Sequence, residues 1–500
     1  MKIFNQDQIH DWDRVTLEKE SIKSIVLMER ASNRIVDWIT KNYTDTDQLF
    51  QVFCGPGNNG GDGLAVSRLL SERGYQVNVV SLQIGSTPSE DNQTNFQRLP
   101  KRGYVTHSTI KSGDSFPPLI AGSVIVDALF GSGLSRPIEG YLGELIQFIN
   151  TEAHDIISID VPSGLFIDEP TNHTTIRADH TLTLQAPKLS FFFPENHHAV
   201  GEWHILDIGL DDEWMNREPT SNYYFIPAMA NTLLNKRSKF DHKGTFGHAL
   251  LVCGAYGKMG AAVLAAKGCL RAGVGLLTAH IPASAYAIMQ SSVPEAMVEV
   301  DTSENYFTGR PLDDRFTAIG MGCGIGKQPE TRQAVLGLLD EYDGPLVLDA
   351  DALNILAEEK DGFSKLPLHC ILTPHPGEFE RLAGTATDSF QILEKQRELS
   401  KNHQIYIVLK RGNTCITTPE GLTFFNSTGN PGMATGGSGD VLAGFITGLL
   451  AQGYASHEAA TLGTYLHGLA GDIGAMAIGQ NALIASDIID HLGQAFQSIE

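Results

Sequence analysis

The chain has 500 residues, 42% hydrophobic and 19% charged, with 36 basic against 58 acidic residues and a formal net charge of −22. That length exceeds one ordinary core, so two or three domains are expected. The acidity excludes a general nucleic-acid or anionic-membrane surface, although backbone N–H groups can still hold a small anion.

Cys54, Cys253, Cys269, Cys323, Cys370 and Cys415 form no CxxC pair and read as small buried hydrophobes of a reducing compartment. MKIFNQDQIHDWDRV lacks a signal-peptide core, and no apolar run reaches about 18 residues. A cytoplasmic protein with no membrane partner is expected. From Ser21 to Lys41, apolar residues recur at helical spacing. Leu49–Cys54 reads as a buried strand, followed by a glycine loop, a helix from Leu64 to Arg73 and the strand YQVNVVSL. Ser123–Phe130 and Asp155–Asp160 are further strands, with a helix at Tyr141–Asn150 between them. This alternation predicts an α/β fold with a doubly wound, mostly parallel sheet, whose ligands sit beyond the carboxyl ends of the strands. The polar, proline-interrupted DDEWMNREPTSN marks a boundary between domains at 1–215 and 225–500. Beyond it the alternation restarts with GHALLVCG, a small-residue helix at Gly260–Arg271, and the strands GVGLLTAH, FTAIGMG, PLVLDAD, CILTP and IYIVLKRG. Two helices, Asp440–Ala451 and His457–Ala475, close the chain, and their alanine and glycine content predicts close packing. The halves do not read as repeats.

GPGNNGGDG (Gly55–Gly63) contains GxGxxG between a strand and a helix, the setting of a dinucleotide fingerprint. A dehydrogenase also places an acid at the end of the next strand to hold the ribose, and VNVVSL carries none. Asn58, Asn59 and Asp62 exceed what a phosphate turn needs, so a nucleotide-like ligand held in another manner is expected. A plain Asn/Gly turn is the alternative. DALFGSGLSRP adds Asp127 and a second glycine loop with Arg136; DVPSG adds Asp160 and Ser163 at a strand end, where a turn and a cap are equally natural. Asn59, Asp127 and Ser163 together offer hard oxygen ligands for an alkali or alkaline-earth cation. Asp160 is then a candidate acid–base.

In this order and spacing, GPGNNGGDG, DALFGSGLSRPIEG and DVPSG resemble the NAD(P)H-hydrate epimerase family (the YjeF N-terminal domain), over roughly residues 1–215. LMERAS is similar too, with Ser32 where glycine is usual. The resemblance implies a Rossmann-like domain. It implies that Asn58, Asn59, Gly60, Gly61 and Asp62, the loop Gly131, Ser132, Gly133, Leu134, Ser135, Arg136 and Pro137, and Tyr141 bind the hydrated nicotinamide nucleotide. It also implies a potassium ion (K+) at Asn59, Asp127 and Ser163, and contact of Asp160 with the substrate near the epimerised carbon.

In the second half, GNPGMATGGSGD runs four glycines into a helix near Asp440. The first-turn N–H groups and the helix dipole suit a phosphate or a developing anion. Asp440 is placed to cap the helix or to take a proton from a hydroxyl attacking a phosphoryl group. No GK[ST] follows, so this is not a Walker loop. LKRGNT (Lys410, Arg411, Gly412, Asn413, Thr414) is a basic turn suited to nucleotide phosphates. LTPHPGE holds His375 and Glu378 in a rigid loop, GMGCGIG exposes backbone, and DADAL puts two acids at a strand end near a possible magnesium.

These segments resemble the ribokinase-like fold. HKGTFGH, LTPHPGE, LKRGNT and GMATGGSGD together are more closely similar to the NAD(P)H-hydrate dehydratase family (the YjeF C-terminal domain), over roughly 225–500. The resemblance implies that Ala262, Gly324, His375 and Asp440 touch the hydrated cofactor, while Lys410 to Thr414 and Gly439 hold the adenine nucleotide. Cys323 stands where proline is common. Jointly the two resemblances imply bifunctional repair of hydrated NADH and NADPH (NADHX and NADPHX), driven by ADP with Mg2+, in a homo-oligomer. Two rival readings are a ribokinase-like kinase of a small alcohol, and a first domain that binds ligand or protein without turnover.

Overall fold

The computed structural model describes residues 1–84, 87–100, 103–151, 155–310 and 313–500. Contacts cluster into two units, Lys2–Thr220 and Ser221–Glu500 with Met1. Among the described residues no helix is long and apolar enough to cross a membrane.

In the first unit, β1 (Lys2–Ile3) opens the chain and is followed by β2 (Leu49–Cys54), β3 (Gln76–Gln83), β4 (Val105–Lys111), β5 (Val124–Ala128), β6 (Ile156–Ile159), β7 (His180–Leu184) and β8 (Glu202–Leu206). β2 to β8 form one all-parallel sheet in the order β4-β3-β2-β5-β6-β7-β8. β2 and β5 are apolar runs buried almost throughout, because helices cover both faces of the sheet. The order reverses between β2 and β5, which opens the crevice where such sheets bind ligands.

Three departures from the sequence reading have physical causes. The helix expected from Leu64 begins at Asn58 (Asn58–Glu72). Its glycines let the first turns pack against strand ends: a Cβ on Gly60 would lie 1.8 Å from the Gly55 carbonyl oxygen, and one on Gly63 2.5 Å from the Ala128 methyl. The opening helix is two helices, Gln6–Glu20 and Ser24–Asn42, separated by Ser21 at φ 54°. The first of them is too polar to show apolar periodicity. DDEWMNREPTSN contains a short helix, Asp212–Arg217, whose Trp214 stacks on Trp12 at 5.4 Å.

The second unit holds β9 (Asn222–Phe225), β10 (His248–Val252), β11 (Leu276–Ile281), β12 (Met297–Val300), β13 (Ala318–Met321), β14 (Leu346–Leu348), β15 (Ile371–Leu372), β16 (Tyr406–Leu409), β17 (Cys415–Thr417) and β18 (Thr423–Asn426). They run in the order β9-β18-β17-β16-β15-β14-β13-β10-β11-β12. Pairing is parallel from β16 across to β12, while β16–β17 and β17–β18 are antiparallel. The helices Met259–Arg271 and Ser438–Ala451 cross at contact distance. A Cβ on Gly444 would lie 2.0 Å from the Ala265 carbonyl oxygen, and one on Gly268 2.5 Å from that of Val441. A third closing helix, Ala485–Gln497, follows the two that the sequence pattern showed.

Candidate functional site

Each unit gathers its polar loops at the carboxyl ends of its central strands. In the first unit, Asp127 lies within β5 and is fully buried. It accepts hydrogen bonds from Ser158 Oγ (2.8 Å), Ser163 N (2.8 Å), Ser163 Oγ (2.5 Å) and Leu129 N (3.2 Å). Burial nonetheless raises its carboxyl, against these bonds. Ser163 Oγ also accepts from Phe130 N at 2.8 Å, which ties DVPSG to the loop beginning at Gly131. A Cβ on Gly131 would lie 3.2 Å from the Asn59 side chain. Asn59, Asp127 and Ser163 are thereby brought to one place, and the buried Asn59 Nδ2 has no hydrogen-bond partner. The Tyr141 hydroxyl is likewise buried and unpartnered.

Asp160 follows β6 in the left-handed region, at φ 62°. Its Oδ1 accepts from Lys188 Nζ at 2.7 Å and from Leu184 N at 3.2 Å. Lys188 is 1% exposed and also donates toward Thr183 Oγ1, Leu184 O and Ala186 O. Burial works against ionisation of Asp160. The Lys188 charge and hydrogen bond, helped by Leu184 N and Ser132, outweigh it and hold the carboxyl below the usual range. Two more carboxyls share this field. Asp13, half-buried on Gln6–Glu20, is pushed up to about 7 by burial and by the Asp160 charge, against Lys188. Asp62 is pushed well above its ordinary value by burial and then by Asp160, Asp13 and Asp91. One carboxyl pushed toward the anion beside two pushed toward the protonated form is the pattern of an acid–base division of labour.

Asn58, the first residue of its helix, is exposed, whereas Gly60, Gly61 and Asp62 are buried at the helix start. Asn92 Nδ2 clamps the preceding loop by donating to Gly55 O (2.9 Å) and Gly57 O (3.1 Å). Ser132 and Leu134 are partly exposed; Gly133, Ser135, Arg136 and Pro137 are exposed. Lys188, Asp13 and Asn92 escaped the sequence reading. Lys188 sits in QAPKLS, which carries no motif-like spacing, and Asp13 lies on a polar helix 147 positions before Asp160 (160 − 13).

In the second unit, Asp349 ends β14 and is buried. Its Oδ1 accepts from Lys410 Nζ (2.8 Å), just past β16, and from Thr373 Oγ1 (2.8 Å), just past β15. A Cβ on Gly439 would lie 3.2 Å from Lys410 Nζ and 3.8 Å from Asp349 Oδ2. The glycine-rich helix start therefore rests directly on this ion pair. Gly437, at φ 96°, is the N-cap, which places Asp440 in the first turn rather than at the cap. Burial and then the Asp349 charge push the Asp440 carboxyl up to about 6, opposed by hydrogen bonding to Cys323 and by Lys410. Cys323 Sγ lies 4.0 Å from Asp349 Oδ2. Buried His467, held neutral with its pKa lowered to about 4 mainly by burial, donates Nε2–H to Ser438 O at 3.0 Å and braces the helix start. It too escaped the sequence reading.

His375 is an N-cap: its Nδ1 accepts from Gly377 N (3.0 Å), while Glu378 Oε2 accepts from His375 N (2.8 Å). Its side chain is half exposed, so the capping role leaves a free ring edge. Gly324, at φ 67°, packs on the start of Met259–Arg271. Ala262 lies in the first turn of Met259–Arg271. It is 0% exposed, and a Cβ on Gly254 would lie 3.1 Å from its methyl. Lys410 to Thr414 form the turn between β16 and β17, with Arg411 Nη1 on Ser389 Oγ at 3.0 Å and open space over Gly412.

Residues 24–190 match the family model described as YjeF-related protein N-terminus, and residues 249–493 match that described as NAD(P)H-hydrate dehydratase. Over 98% of this chain and 95% of the relative, the sequence is 35% identical to a bifunctional NAD(P)H-hydrate repair enzyme of Moorella thermoacetica. An ADP/ATP-dependent NAD(P)H-hydrate dehydratase of Bacillus subtilis, co-crystallised with ATP and Mg2+, covers 56% of this chain and 99% of its own, at 31% identity and a TM-score of 0.50. A ribokinase-like superfamily protein of Enterococcus faecalis covers 56% of this chain and 98% of its own, at 26% identity and a TM-score of 0.50. The chain belongs to the bifunctional NAD(P)H-hydrate repair enzyme family.

Proposed function

We propose that the chain restores hydrated NADH and NADPH: the first unit interconverts the R and S epimers, and the second dehydrates the S form using ADP. The observation that carries this reading is that one chain holds both a split set of carboxyls at Asp13, Asp62 and Asp160 and a glycine-rich helix start resting on the Lys410–Asp349 pair.

In the first unit, the carbon bearing the added hydroxyl is bonded to the ring nitrogen. A protonated carboxyl, Asp13 or Asp62, gives its proton to that hydroxyl, which leaves as water while the nitrogen lone pair forms a C=N double bond. The fixed Asp160 anion stabilises the resulting cation. Water then adds to either face and returns the proton to the carboxylate. Asn59, beside the buried Asp127 and Ser163, completes a set of oxygen ligands that would hold K+, and the bound ion would supply positive charge next to the loop from Gly131.

In the second unit, ionised Asp440 takes the proton from the substrate hydroxyl as its oxygen attacks the terminal phosphoryl of ADP. AMP departs as the phosphoryl group is transferred; phosphate then leaves the ring carbon, the neighbouring ring carbon gives up a proton to the departing phosphate, and the ring double bond re-forms. The helix-start N–H groups receive the developing phosphoryl charge. Lys410 to Thr414 grip the nucleotide phosphates, and Mg2+ carried with the nucleotide neutralises their charge.

The test is recovery of 340 nm absorbance from mixed R and S NADH hydrate with Mg2+ and ADP, ATP or neither. Recovery past the S fraction, faster than spontaneous epimerisation and dependent on ADP, supports both activities. Recovery that stops at the S fraction removes the epimerase reading, and a stable phosphorylated product without recovery returns the chain to the small-alcohol kinases.

A further inference from the structure

A third cluster of ionisable side chains lies in the first unit at the opposite end of its sheet. His180 is the first residue of β7 and Glu202 the first of β8, and the register pairs them directly, with Leu182 opposite His204. Residues i and i+2 of a strand share a face, so His180, Glu202 and His204 project from one face of the edge pair. His180 Nδ1 and His204 Nε2 point at each other across 3.4 Å. Glu202 closes the triangle, with carboxylate oxygens 4.0 Å from His180 Nδ1 and 3.9 Å from His204 Nε2. Trp38, from the helix Ser24–Asn42, packs on both rings at centroid distances of 5.1 and 4.8 Å, which fixes the two imidazole planes.

A spacing of 3.4 Å is long for an N–H···N hydrogen bond, and two lone pairs facing one another would repel. Two imidazole nitrogens bound to one tetrahedral zinc-like ion at about 2.0–2.1 Å stand about 3.3–3.4 Å apart. The observed separation is the one that a shared ion requires. The Glu202 side chain is 71% exposed, so it has room to swing the remaining fraction of an ångström into coordination.

We propose that His180, Glu202 and His204 form a binding site for one divalent transition-metal ion of the zinc type, with water in the fourth position. Imidazole and carboxylate ligands select such ions over magnesium or calcium. The site sits at the amino ends of β7 and β8, away from the carboxyl ends that carry Asp160. The ion therefore clamps the edge strand β8 to β7 beneath Trp38 and takes no part in turnover. Thr183 and Lys188 follow from the same strand β7, so the clamp steadies the segment that holds Asp160.

The test uses the full-length chain and the metal alone. Calorimetric titration with Zn2+ is expected to show one equivalent that His180→Ala and His204→Ala each weaken at least tenfold, while dehydratase activity stays unchanged. Co2+ is expected to give intense visible bands of a tetrahedral N/O site in the native chain and none at that stoichiometry in the variants. Glu202→Gln alters only an exposed side chain, so it keeps the test intact if a histidine variant fails to fold; a weakened Zn2+ affinity is expected. Zn2+ binding that is equal in the native chain and all three variants, or no binding at all, overturns the proposal. Cys323, Asp349 and Asp440 form the other cluster with metal-ligand spacing among the described residues, and binding confined to them is one such negative result.

Discussion

Lys188 Nζ lies 2.7 Å from Asp160 Oδ1, and the lysine side chain is 1% exposed. A buried ion pair is sensitive to loss of one partner, because the remaining charge stays desolvated. Lys188→Met is expected to destabilise the chain by about 3–5 kcal/mol and to abolish epimerisation. The double variant Asp160→Asn with Lys188→Met should recover most of that stability and none of the activity. Urea unfolding alongside an R-to-S conversion assay checks both; a double variant as unstable as the single one would contradict the account.

If Asp13 rather than Asp62 is the proton donor of the proposed epimerisation, it sets the alkaline side of that profile. Its folded pKa, raised by burial to about 7, means that the proton-donating form is present below that pH and is lost as pH rises through it. The epimerase rate is expected to fall as pH climbs past about 7, and Asp13→Asn to remove that limb along with most of the activity. Because the folded pKa exceeds the unfolded one, Asp13 also contributes stability below the unfolded pKa that is lost as pH rises through about 7. Asp13→Asn should therefore melt higher than the native chain at pH 8 and gain less at pH 5.

How far this was legible in the sequence depends on whether the chemistry was local. Buried strands such as Leu49–Cys54 and Val124–Ala128 announced themselves as apolar runs ending in glycine loops. GGSGD reads as a glycine run leading into a helix near Asp440, and the helix begins at Ser438. The polar strand β4, VTHSTIK, gave no periodic signal, whereas CILTP reads as a strand and forms the two-residue β15. The antiparallel pair β17 and β18 was likewise absent from the reading, since each strand is only three or four residues long. Lys188 was invisible for another reason. A lone lysine in QAPKLS reads as surface, and only the fold turns it under Thr183 and onto Asp160. Asp62 was seen, but as a member of a loop; the helix that buries it starts four residues earlier, at Asn58.

As the general base of the proposed dehydratase reaction, Asp440 would govern its acid side. Its carboxyl, raised to about 6 mainly by burial and by Asp349, must be ionised to accept the hydroxyl proton, so turnover should fall as pH drops through about 6. Hydrogen bonding to Cys323 lowers that value. Cys323→Ala is thus expected to move the acid limb upward while leaving the plateau rate within a few-fold of native. A limb that stays in place would show that Cys323 does not touch the working carboxylate. Asp440→Asn should lose at least about 100-fold in rate, as expected when a general base is removed, yet unfold no more easily than the native chain near neutrality.

Ser32 lies within the helix Ser24–Asn42. It is 0% exposed, and its hydroxyl finds no hydrogen-bond partner. A buried hydroxyl left unpaired costs about 1–3 kcal/mol, and alanine is the better helix former by a further fraction of a kcal/mol. Ser32→Ala removes one oxygen, adds nothing to the packed space, and is expected to stabilise the first unit by about 1 kcal/mol. Ser32→Gly should gain less, because the flexible backbone offsets the relief at the hydroxyl. Thermal unfolding of the two variants beside the native chain separates these effects: alanine above glycine above serine is the expected order, and serine at the top would mean that the hydroxyl is bonded after all.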